Sequence, residues 1–369
     1  MDTSKRLLSI DALRGFDMLF IMGFSALIVS ICALFPGGDQ SWLARQMAHV
    51  DWNGLAHHDT IFPLFLFISG MTFPFSYAKR TAAGFPRWKI YWEVIRRGLV
   101  LCLLGLVYNG FFKLELSTLR LPSVLARIGL AWMFAALIYM NVKKVSWRIV
   151  IAGVLLLGYW ALFALVAPDA PGASPYSQEG AFVGYVDRQL IPNHLLSRGK
   201  FDPEGILSTL PAIVTAMLGM FLGEFVRIPE ERISGKKKTL WMVVAAVGLL
   251  TAGLLWSTVF PINKKLWTST FVLVVGAYSV AMYALFYWLI DVKGWKKWTF
   301  FFRVIGMNSI TIYMAMRIIS FSGINRFFLG GLTGLVPEPV GAVILNAGYV
   351  AVCWLFLYFL YKKNVFLKV

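Results

Sequence analysis

The stretch that decides the fold lies at residues 149–167 and reads IVIAGVLLLGYWALFALVA. It carries no charged side chain, and a helix of about 20 such residues can cross the roughly 30 Å hydrocarbon core of a bilayer. The remainder of the 369-residue chain has the same character, since 59% of it is hydrophobic and only 14% is charged. Soluble domains are about half apolar and about a quarter charged. The surplus apolar surface must therefore face lipid, and a water-soluble globule is excluded.

Apolar runs of similar length recur along the whole chain. They predict an all-α, polytopic integral membrane protein with about ten transmembrane helices. Prolines interrupt the second run, and arginines interrupt or flank the third and the ninth, which makes these three the weakest. The predicted segments lie near residues 13–35, 60–78, 93–111, 123–141, 149–167, 206–226, 239–258, 268–290, 300–318 and 341–361.

The net charge of +17 comes from short basic clusters between the apolar runs. This pattern indicates cytoplasmic loops rather than a nucleic-acid-binding face. With the amino terminus inside, cytoplasmic loops hold 22 of the 35 lysines and arginines, and the opposite loops hold 9. We therefore predict that both termini are cytoplasmic. Two long outer loops follow, at about 36–59 and 168–205, and the second is predicted to be exposed coil because it is rich in proline, glycine, serine and aspartate.

The first predicted helix carries Asp11, Arg14 and Asp17. Ionisable groups at membrane depth are costly, so these residues need an explanation. A spacing of three places Arg14 beside both carboxylates. The three residues could neutralise one another at the cytoplasmic interface, or Arg14 could bind an anionic ligand, because a guanidinium suits phosphate and carboxylate groups. The sequence leaves both interpretations open.

The first outer loop holds three of the four histidines, in the run HVDWNGLAHHD at residues 49–59. Imidazole titrates near neutral pH and can serve as a general base, a nucleophile or a metal ligand. His57 and His58 are adjacent and cannot easily bind one ion together, so we expect no metal. Catalysis and simple helix capping remain the alternatives.

Further polar residues occur at the ends of later apolar runs. Asp202 and Glu204 precede a predicted helix and could hold an amine or a sugar hydroxyl, although Asp202-Pro203 is also an ordinary helix start. Arg127 could either pack inside the bundle or contact an anion. Asn308 and Ser309 could form hydrogen bonds across helices.

Several of these motifs together resemble a known family. The sequence RLLSIDALRG at residues 6–15 resembles the opening signature of membrane acyltransferases. Residues 49–70, with their histidine and their WNGL and FP steps, resemble the catalytic region of the heparan-α-glucosaminide N-acetyltransferase family. The resemblance covers essentially the whole chain in order, with further matches at residues 120–129, 184–205, 261–267, 291–294 and 307–310.

The resemblance implies a transmembrane acetyltransferase. The lysosomal enzyme of this family moves an acetyl group from cytosolic acetyl-CoA to the terminal glucosamine amine of heparan sulfate on the luminal side. Carried over, it implies acetyl-CoA as co-substrate and a periplasmic amino sugar of the glucosamine type as acceptor. His49 would match the active-site histidine, which carries the acetyl group or acts as base toward the amine. Where the family has a functional asparagine near the outer end of its first shared helix, this chain has Ser25.

The expected site residues fall into three groups. The catalytic group is His49, Asp59 and Asn53, with Asn53 as an amide donor to the oxyanion. The acceptor-binding group is Asp51, Trp52, Asp202, Glu204, Asn263 and Lys264. The group expected to hold acetyl-CoA is Arg14, Asp11, Arg127, Asn308 and Ser25.

Together with the resemblance, a short chain with no lysosomal signal suggests a bacterial inner-membrane relative, and we expect a single domain over residues 1–369. We expect the lipid bilayer, acetyl-CoA and an amino-sugar acceptor as partners, with a homodimer as a further possibility. The alternative function is a sugar or amino-sugar permease that keeps the fold without catalysis. Helices broken at Pro63, Pro74 and Pro211 could line its path.

Overall fold

The computed structural model describes residues 7–115, 117–192, 195–197 and 201–367. Over these residues the chain forms helices and connecting segments, with no β-strand. The helices, in chain order, are α1 (Leu8–Leu19), α2 (Ser25–Cys32), α3 (Trp42–Gln46), α4 (His57–Ala82), α5 (Arg87–Tyr108), α6 (Val124–Asn141), α7 (Val145–Leu165), α8 (Phe182–Leu190), α9 (Thr209–Val226), α10 (Gly235–Trp256), α11 (Ser269–Tyr287), α12 (Thr299–Met307), α13 (Ser309–Ile318), α14 (Phe321–Thr333) and α15 (Glu338–Lys362).

The architecture is that of a polytopic membrane protein, which confirms the predicted fold class. Within the described ranges, eight helical segments are long and apolar enough to cross a bilayer, and a bent pair of helices, α12 and α13, makes a ninth if it forms one span. The third predicted segment, near residues 93–111, falls mostly in α5 and is not among these segments. That helix has 22 residues, but Glu93, Arg96 and Arg97 fall within its apolar stretch. α5 is therefore long enough to cross a bilayer, but its charged residues keep it outside the eight most apolar segments.

The helices differ in how much of their apolar surface other helices cover. Of the most apolar window in α4, 67% of residues are buried, and the same holds for α9, whereas only 17% are buried in α10. Apolar side chains that protein does not cover have lipid as their natural solvent. Helices α4, α9 and α11 thus form the centre of the bundle, and α7, α10 and α15 lie at its margin.

The first membrane helix is interrupted by a π-helical turn at Phe20–Phe24, which joins α1 to α2. Gly23 within it has a φ of 104°, a conformation that residues with a Cβ rarely adopt. Ser25 is the first residue after the turn. The turn therefore fixes the direction in which α2 leaves and the place of Ser25.

A close helix crossing explains one glycine of the opening motif. A Cβ on Gly15 would lie 1.8 Å from the carbonyl oxygen of Phe302, and one on Gly306 would lie 2.1 Å from that of Asp11. Only residues without side chains let α1 and α12 approach this closely. The crossing ties the first helix of the chain to the bent pair.

The bent pair breaks at Asn308, where α12 and α13 meet at 67°. The Asn308 amide nitrogen donates to the carbonyl oxygen of Val365 at 3.1 Å, and its oxygen accepts from the Thr311 hydroxyl at 3.2 Å. Asn308 thus satisfies backbone and side-chain groups at the break. Asn308, which is expected either to hold acetyl-CoA or to form hydrogen bonds across helices, thus links α13 to the carboxyl-terminal segment.

Two long loops differ from their predicted form. The first long loop (residues 33–56) ends earlier than expected, because His57, His58 and Asp59 already form the first turn of α4. The second long loop (residues 166–208) is not simply exposed coil. It contains α8, and it buries Phe201 and Asp202 against the bundle. Aromatic side chains such as Phe201 let this loop pack against the bundle, although its proline- and glycine-rich composition predicts exposed coil.

Candidate active site

The start of α4 brings a histidine and a carboxylate together. Asp59, the third residue of the helix, accepts hydrogen bonds from the backbone N–H groups of Ala56 at 3.1 Å and Val50 at 3.3 Å. Its other oxygen lies 2.7 Å from Nδ1 of His49. The carboxyl is buried, whereas 53% of the His49 side chain is exposed. A short polar link therefore joins an accessible imidazole to a rigid helix end.

Lys264 reaches the same two groups from the segment between α10 and α11. Its Nζ lies 3.3 Å from Oδ1 of Asp59 and 3.0 Å from Nδ1 of His49. Nδ1 cannot both donate to the carboxylate and accept from the ammonium. The shorter contact favours donation to Asp59, which leaves the proton on Nδ1 and the lone pair on Nε2. The structure thus supports the tautomer in which Nε2 of His49 can act as a base.

Burial lowers the pKa of the Lys264 ammonium from its ordinary value, and the Asp59 charge offsets part of that effect. At 3.3 Å, the Lys264 ammonium neutralises the charge of the buried Asp59 carboxylate. Lys264 was expected to bind the acceptor, but in the structure it contacts the His49–Asp59 pair directly.

The other two histidines of the cluster face different partners. The His58 ring packs against the His49 ring with centroids 4.5 Å apart, and its Nδ1 lies 3.1 Å from Oγ of Ser25. His57 Nε2 lies 3.1 Å from the Tyr278 hydroxyl. Ser25, expected among the residues that hold acetyl-CoA, therefore lies in the histidine cluster.

Contacts between the first long loop and the 257–268 segment complete this side of the site. The Asn263 amide donates to the Asn53 oxygen at 3.0 Å, and the Gly54 N–H donates to the carbonyl of Ile262 at 2.8 Å. Lys265 donates to the backbone carbonyl of Asp51. Asn53 and Asn263, placed in different predicted groups, thus form one bridge.

Trp52 joins the first long loop to the second. Its indole N–H donates to the carbonyl of Tyr176 at 2.6 Å, and its ring packs edge-on against Phe201 at 5.7 Å. The Lys265 ammonium lies over the same ring at 5.7 Å. Trp52 therefore packs between the two long loops, beside the Lys265 ammonium.

The acids of the second long loop are held by an arginine that precedes α6. Arg120 donates to Asp202 from Nε at 2.9 Å and from Nη2 at 2.5 Å, and it also donates to Glu204. Burial opposes the charge on Asp202, but the hydrogen bonds and charge of Arg120 hold the pKa of that carboxyl below its usual value. Asp202 and Glu204 are thus engaged in a salt bridge, which stabilises the loop.

Arg127 lies beside this network rather than in a separate anion site. It is buried, and it donates to the carbonyl of Gly205 at 3.2 Å and to the Ser208 hydroxyl. Its guanidinium lies 4.9 Å from the centroid of the Trp267 ring. The contacts place Arg127 with the second long loop and away from the other residues expected to hold acetyl-CoA.

No protein-family model matches the chain, but two curated proteins do. Heparan-alpha-glucosaminide N-acetyltransferase of Homo sapiens is 26% identical over 99% of this chain and 60% of its own length. The Mus musculus protein of the same name is 26% identical over 100% of this chain and 61% of its own length. The chain is a distant homologue of these two proteins. The resemblance predicted from the motifs is confirmed at that level, and the chain spans about three fifths of the relatives it matches.

The remaining residues of the expected acetyl-CoA group lie around α1. Arg14 is 3.8 Å from Asp11, with 19% of its side chain exposed. Arg97 of α5 lies within electrostatic range of Arg14 and of Arg80. The Arg97 guanidinium also packs over the Trp132 ring at 4.2 Å. Arg14 and Asp11 are therefore together, as their spacing predicted, and the charge of Arg97 acts on Arg14.

Sequence reasoning missed residues that become important only through folding. Tyr278 and Gln46 contact His57, and the charge of Arg97 acts on Arg14. The sequence marks Arg97 only as an arginine inside an apolar run, which does not indicate its neighbours in the fold. Across the described ranges, no three histidine, cysteine or acidic side chains are arranged to hold a metal ion.

Proposed function

We propose that this protein is a membrane acetyltransferase that moves an acetyl group from acetyl-CoA to the amine of an amino sugar of the glucosamine type. The observation that carries the proposal is the 2.7 Å contact between His49 Nδ1 and the buried Asp59 carboxylate. It orients an exposed imidazole with Nε2 unprotonated. The distant homology to two N-acetyltransferases supports the same reaction class.

The amine must lose a proton to attack an acyl carbon. His49 Nε2 takes that proton, while Asp59 keeps the tautomer and stabilises the imidazolium that forms. The Asn53 oxygen is occupied by Asn263, so the Asn53 amide nitrogen is left to donate to the oxygen that gains charge in the tetrahedral intermediate. Lys264 balances the Asp59 charge in this partly buried site.

The acceptor approaches through the two long loops. Asp51 is exposed near Asn53, and its carboxylate would attract the ammonium group of an amino sugar. Arg120 holds Asp202 and Glu204 in salt bridges, so these two acids affect the acceptor only by fixing the shape of the second long loop. Trp52 contributes an apolar wall where the two loops meet.

The donor occupies the opposite side of the bundle in this proposal. Acetyl-CoA is polyanionic and cannot cross hydrocarbon unaided, so cationic side chains must hold it. We propose that Arg14 of α1 and Arg97 of α5, whose charges act on each other, supply part of this positive charge. The loop charges support cytoplasmic termini and therefore a cytoplasmic donor. The acceptor then lies on the outer side of a bacterial inner membrane. We further propose that residues 1–369 form a single domain and that two copies pair as a homodimer.

An acetyl-transfer assay tests the proposal. Detergent-purified protein is incubated with radiolabelled acetyl-CoA and glucosamine, and labelled N-acetylglucosamine is separated and counted. We expect product from the wild type, and at least a ~100-fold lower rate from His49→Ala, because general-base catalysis contributes about 10²- to 10⁴-fold. Arg45→Ala, an exposed change in the same loop, is the matched control. Product formation by His49→Ala at the control rate would disprove the role of His49.

A permease is the second candidate, because the α12–α13 break at Asn308 is of the kind that lines transport paths. Substrate counterflow in proteoliposomes without acetyl-CoA distinguishes the two functions. We expect no exchange of labelled glucosamine. Rapid exchange with no acetylated product would favour the permease.

A further inference from the structure

The proposed reaction leaves one polar pair of the histidine cluster without a role. Ser25 Oγ and His58 Nδ1 are 3.1 Å apart, although their residues are 33 positions apart in the chain. Ser25 is 7% exposed, so its hydroxyl is largely shielded from bulk water. A hydroxyl within hydrogen-bond reach of an imidazole is the arrangement of an activated nucleophile.

The backbone around Ser25 supports a functional position. Ser25 directly follows the π-helical turn at Phe20–Phe24, in which Gly23 has a φ of 104°. Single π-helical turns inside membrane helices and other helices frequently occur at functional sites. A regular helix through residues 20–24 would have given Ser25 a different direction, so the turn sets the contact with His58.

The pair is continuous with the site already described. The His58 ring packs on the His49 ring at 4.5 Å between centroids, and His49 contacts Asp59. Ser25 therefore lies one imidazole away from the exposed base. An acetyl group on Ser25 would be near the place where His49 deprotonates the amine.

We propose that Ser25 is the acyl-carrying nucleophile of this protein and that His58 is its general base. The inference rests on the proposed acetyl transfer and specifies its covalent step. In the tautomer with hydrogen on Nε2, His58 accepts the hydroxyl proton at Nδ1 while Oγ attacks the thioester carbonyl carbon. The C–S bond breaks, its electron pair leaves on sulfur, and His58 returns the proton to give the free thiol of CoA and an acetyl ester on Ser25.

The second half of the reaction regenerates the serine. His49 Nε2 removes a proton from the acceptor ammonium, and the free amine attacks the ester carbonyl. The tetrahedral intermediate transfers one of its two N–H protons through His58 to Oγ as the C–O bond breaks, and the other stays on the amide nitrogen of the product. The products are the N-acetylated amine and the original Ser25 hydroxyl, and the proton on His49 passes to water.

Trapping the intermediate tests the proposal. Purified protein is mixed with radiolabelled acetyl-CoA without acceptor, quenched in acid and digested, and the labelled peptide is identified by mass spectrometry. An acetyl ester survives mild acid, whereas an acetylimidazole hydrolyses rapidly. We expect the label on the peptide that contains Ser25, and its release as N-acetylglucosamine when glucosamine is added before the quench.

Four variants separate a nucleophile from a hydrogen-bonding residue. Ser25→Asn can still bond to His58 but cannot form an ester, so we expect no label and at least a ~100-fold lower kcat. Ser25→Cys retains a nucleophile and should become labelled as a thioester. His58→Gln should slow labelling. Ser30→Ala is the matched control, because Ser30 is buried on the same helix and donates only to the carbonyl of Leu27 at 2.8 Å.

The possible outcomes are distinct. Label on Ser25 that is lost in Ser25→Asn and kept in Ser30→Ala supports the proposal. Acetylated glucosamine formed by Ser25→Asn at the Ser30→Ala rate overturns it and leaves the acetyltransferase function intact. Absence of both label and product in the wild type would overturn the proposed function and this inference together.

Discussion

Replacing Asp59 by asparagine tests the charge of the His49–Asp59 pair without changing its shape. In the wild type the carboxylate accepts from His49 Nδ1 at 2.7 Å, lies 3.3 Å from Lys264 Nζ and accepts from two backbone N–H groups. An asparagine amide can donate to Nδ1, which would move the imidazole proton to Nε2 and abolish the base. It also leaves the Lys264 ammonium without its carboxylate.

The magnitude follows from these two losses. A hydrogen bond to a charged group contributes about 1.5–3 kcal/mol, and a wrong histidine tautomer lowers kcat by up to about 10⁴ in the serine-protease triad. We therefore expect Asp59→Asn to lower kcat by about 10²- to 10⁴-fold, or about 3–5 kcal/mol in activation free energy. The dissociation constant for acetyl-CoA should change little, because Asp59 does not contact the donor in this account.

The assay is steady-state acetyl transfer to glucosamine, with thermal unfolding measured in parallel to show that the variant is folded. Asp39→Asn is the matched control, since Asp39 is an exposed carboxylate in the same loop and accepts a hydrogen bond from the neighbouring Gln40. If kcat of Asp59→Asn stays within about threefold of the Asp39→Asn value, the reasoning about the tautomer is refuted.

Three further perturbations follow from other parts of the structure. Because burial lowers the pKa of Lys264, kcat plotted against pH should fall on the alkaline side at a pH below the ordinary lysine pKa of 10.5. Lys264→Arg should move that fall to higher pH. A fall that stays at the same pH would show that the ammonium is not needed. Gly15→Ala places a Cβ 1.8 Å from the carbonyl oxygen of Phe302 and should destabilise the fold by about 1–3 kcal/mol or more, which lowers the midpoint of thermal unfolding. Gly153→Ala is the control, because a Cβ there meets nothing within 4 Å and the midpoint should not change. Equal midpoints for the two glycine variants would contradict the close crossing. Burial raises the pKa of Asp187 from 3.8 to about 6, so folding favours the protonated carboxyl. The free energy of unfolding should therefore fall as pH rises between these values, by about 3 kcal/mol at most. Asp187→Asn should remove this dependence on pH, and an unchanged dependence would exclude Asp187 as its source.

The fold was largely predictable because hydrocarbon imposes one simple rule on sequence. Every backbone polar group must be satisfied inside the membrane, so long apolar runs become helices. Local departures from regular helix left no comparable signal. The π-helical turn at Phe20–Phe24, the break at Asn308 and the additional helix α14 depend on packing against distant helices.

The sequence indicates candidate site residues, but it does not indicate which of them contact one another. Spacing brought His49 and Asp59 into one loop, yet Lys264 lies 215 positions from His49 and only folding brings them together. The resemblance associated Ser25 and Arg127 with the donor. In the structure, hydrogen bonds place Ser25 with His58 and Arg127 with the second long loop, because partners on other helices decide where a buried polar side chain points.

The central claim is that His49 carries out acetyl transfer between substrates held on opposite sides of a membrane. The most direct test reconstitutes the protein in sealed proteoliposomes, with radiolabelled acetyl-CoA on the side of the termini and glucosamine on the other. We predict labelled N-acetylglucosamine only on the glucosamine side for the wild type, and none above background for His49→Ala. Equal product from His49→Ala, or unmodified glucosamine that crosses the membrane without acetylation, would contradict the account.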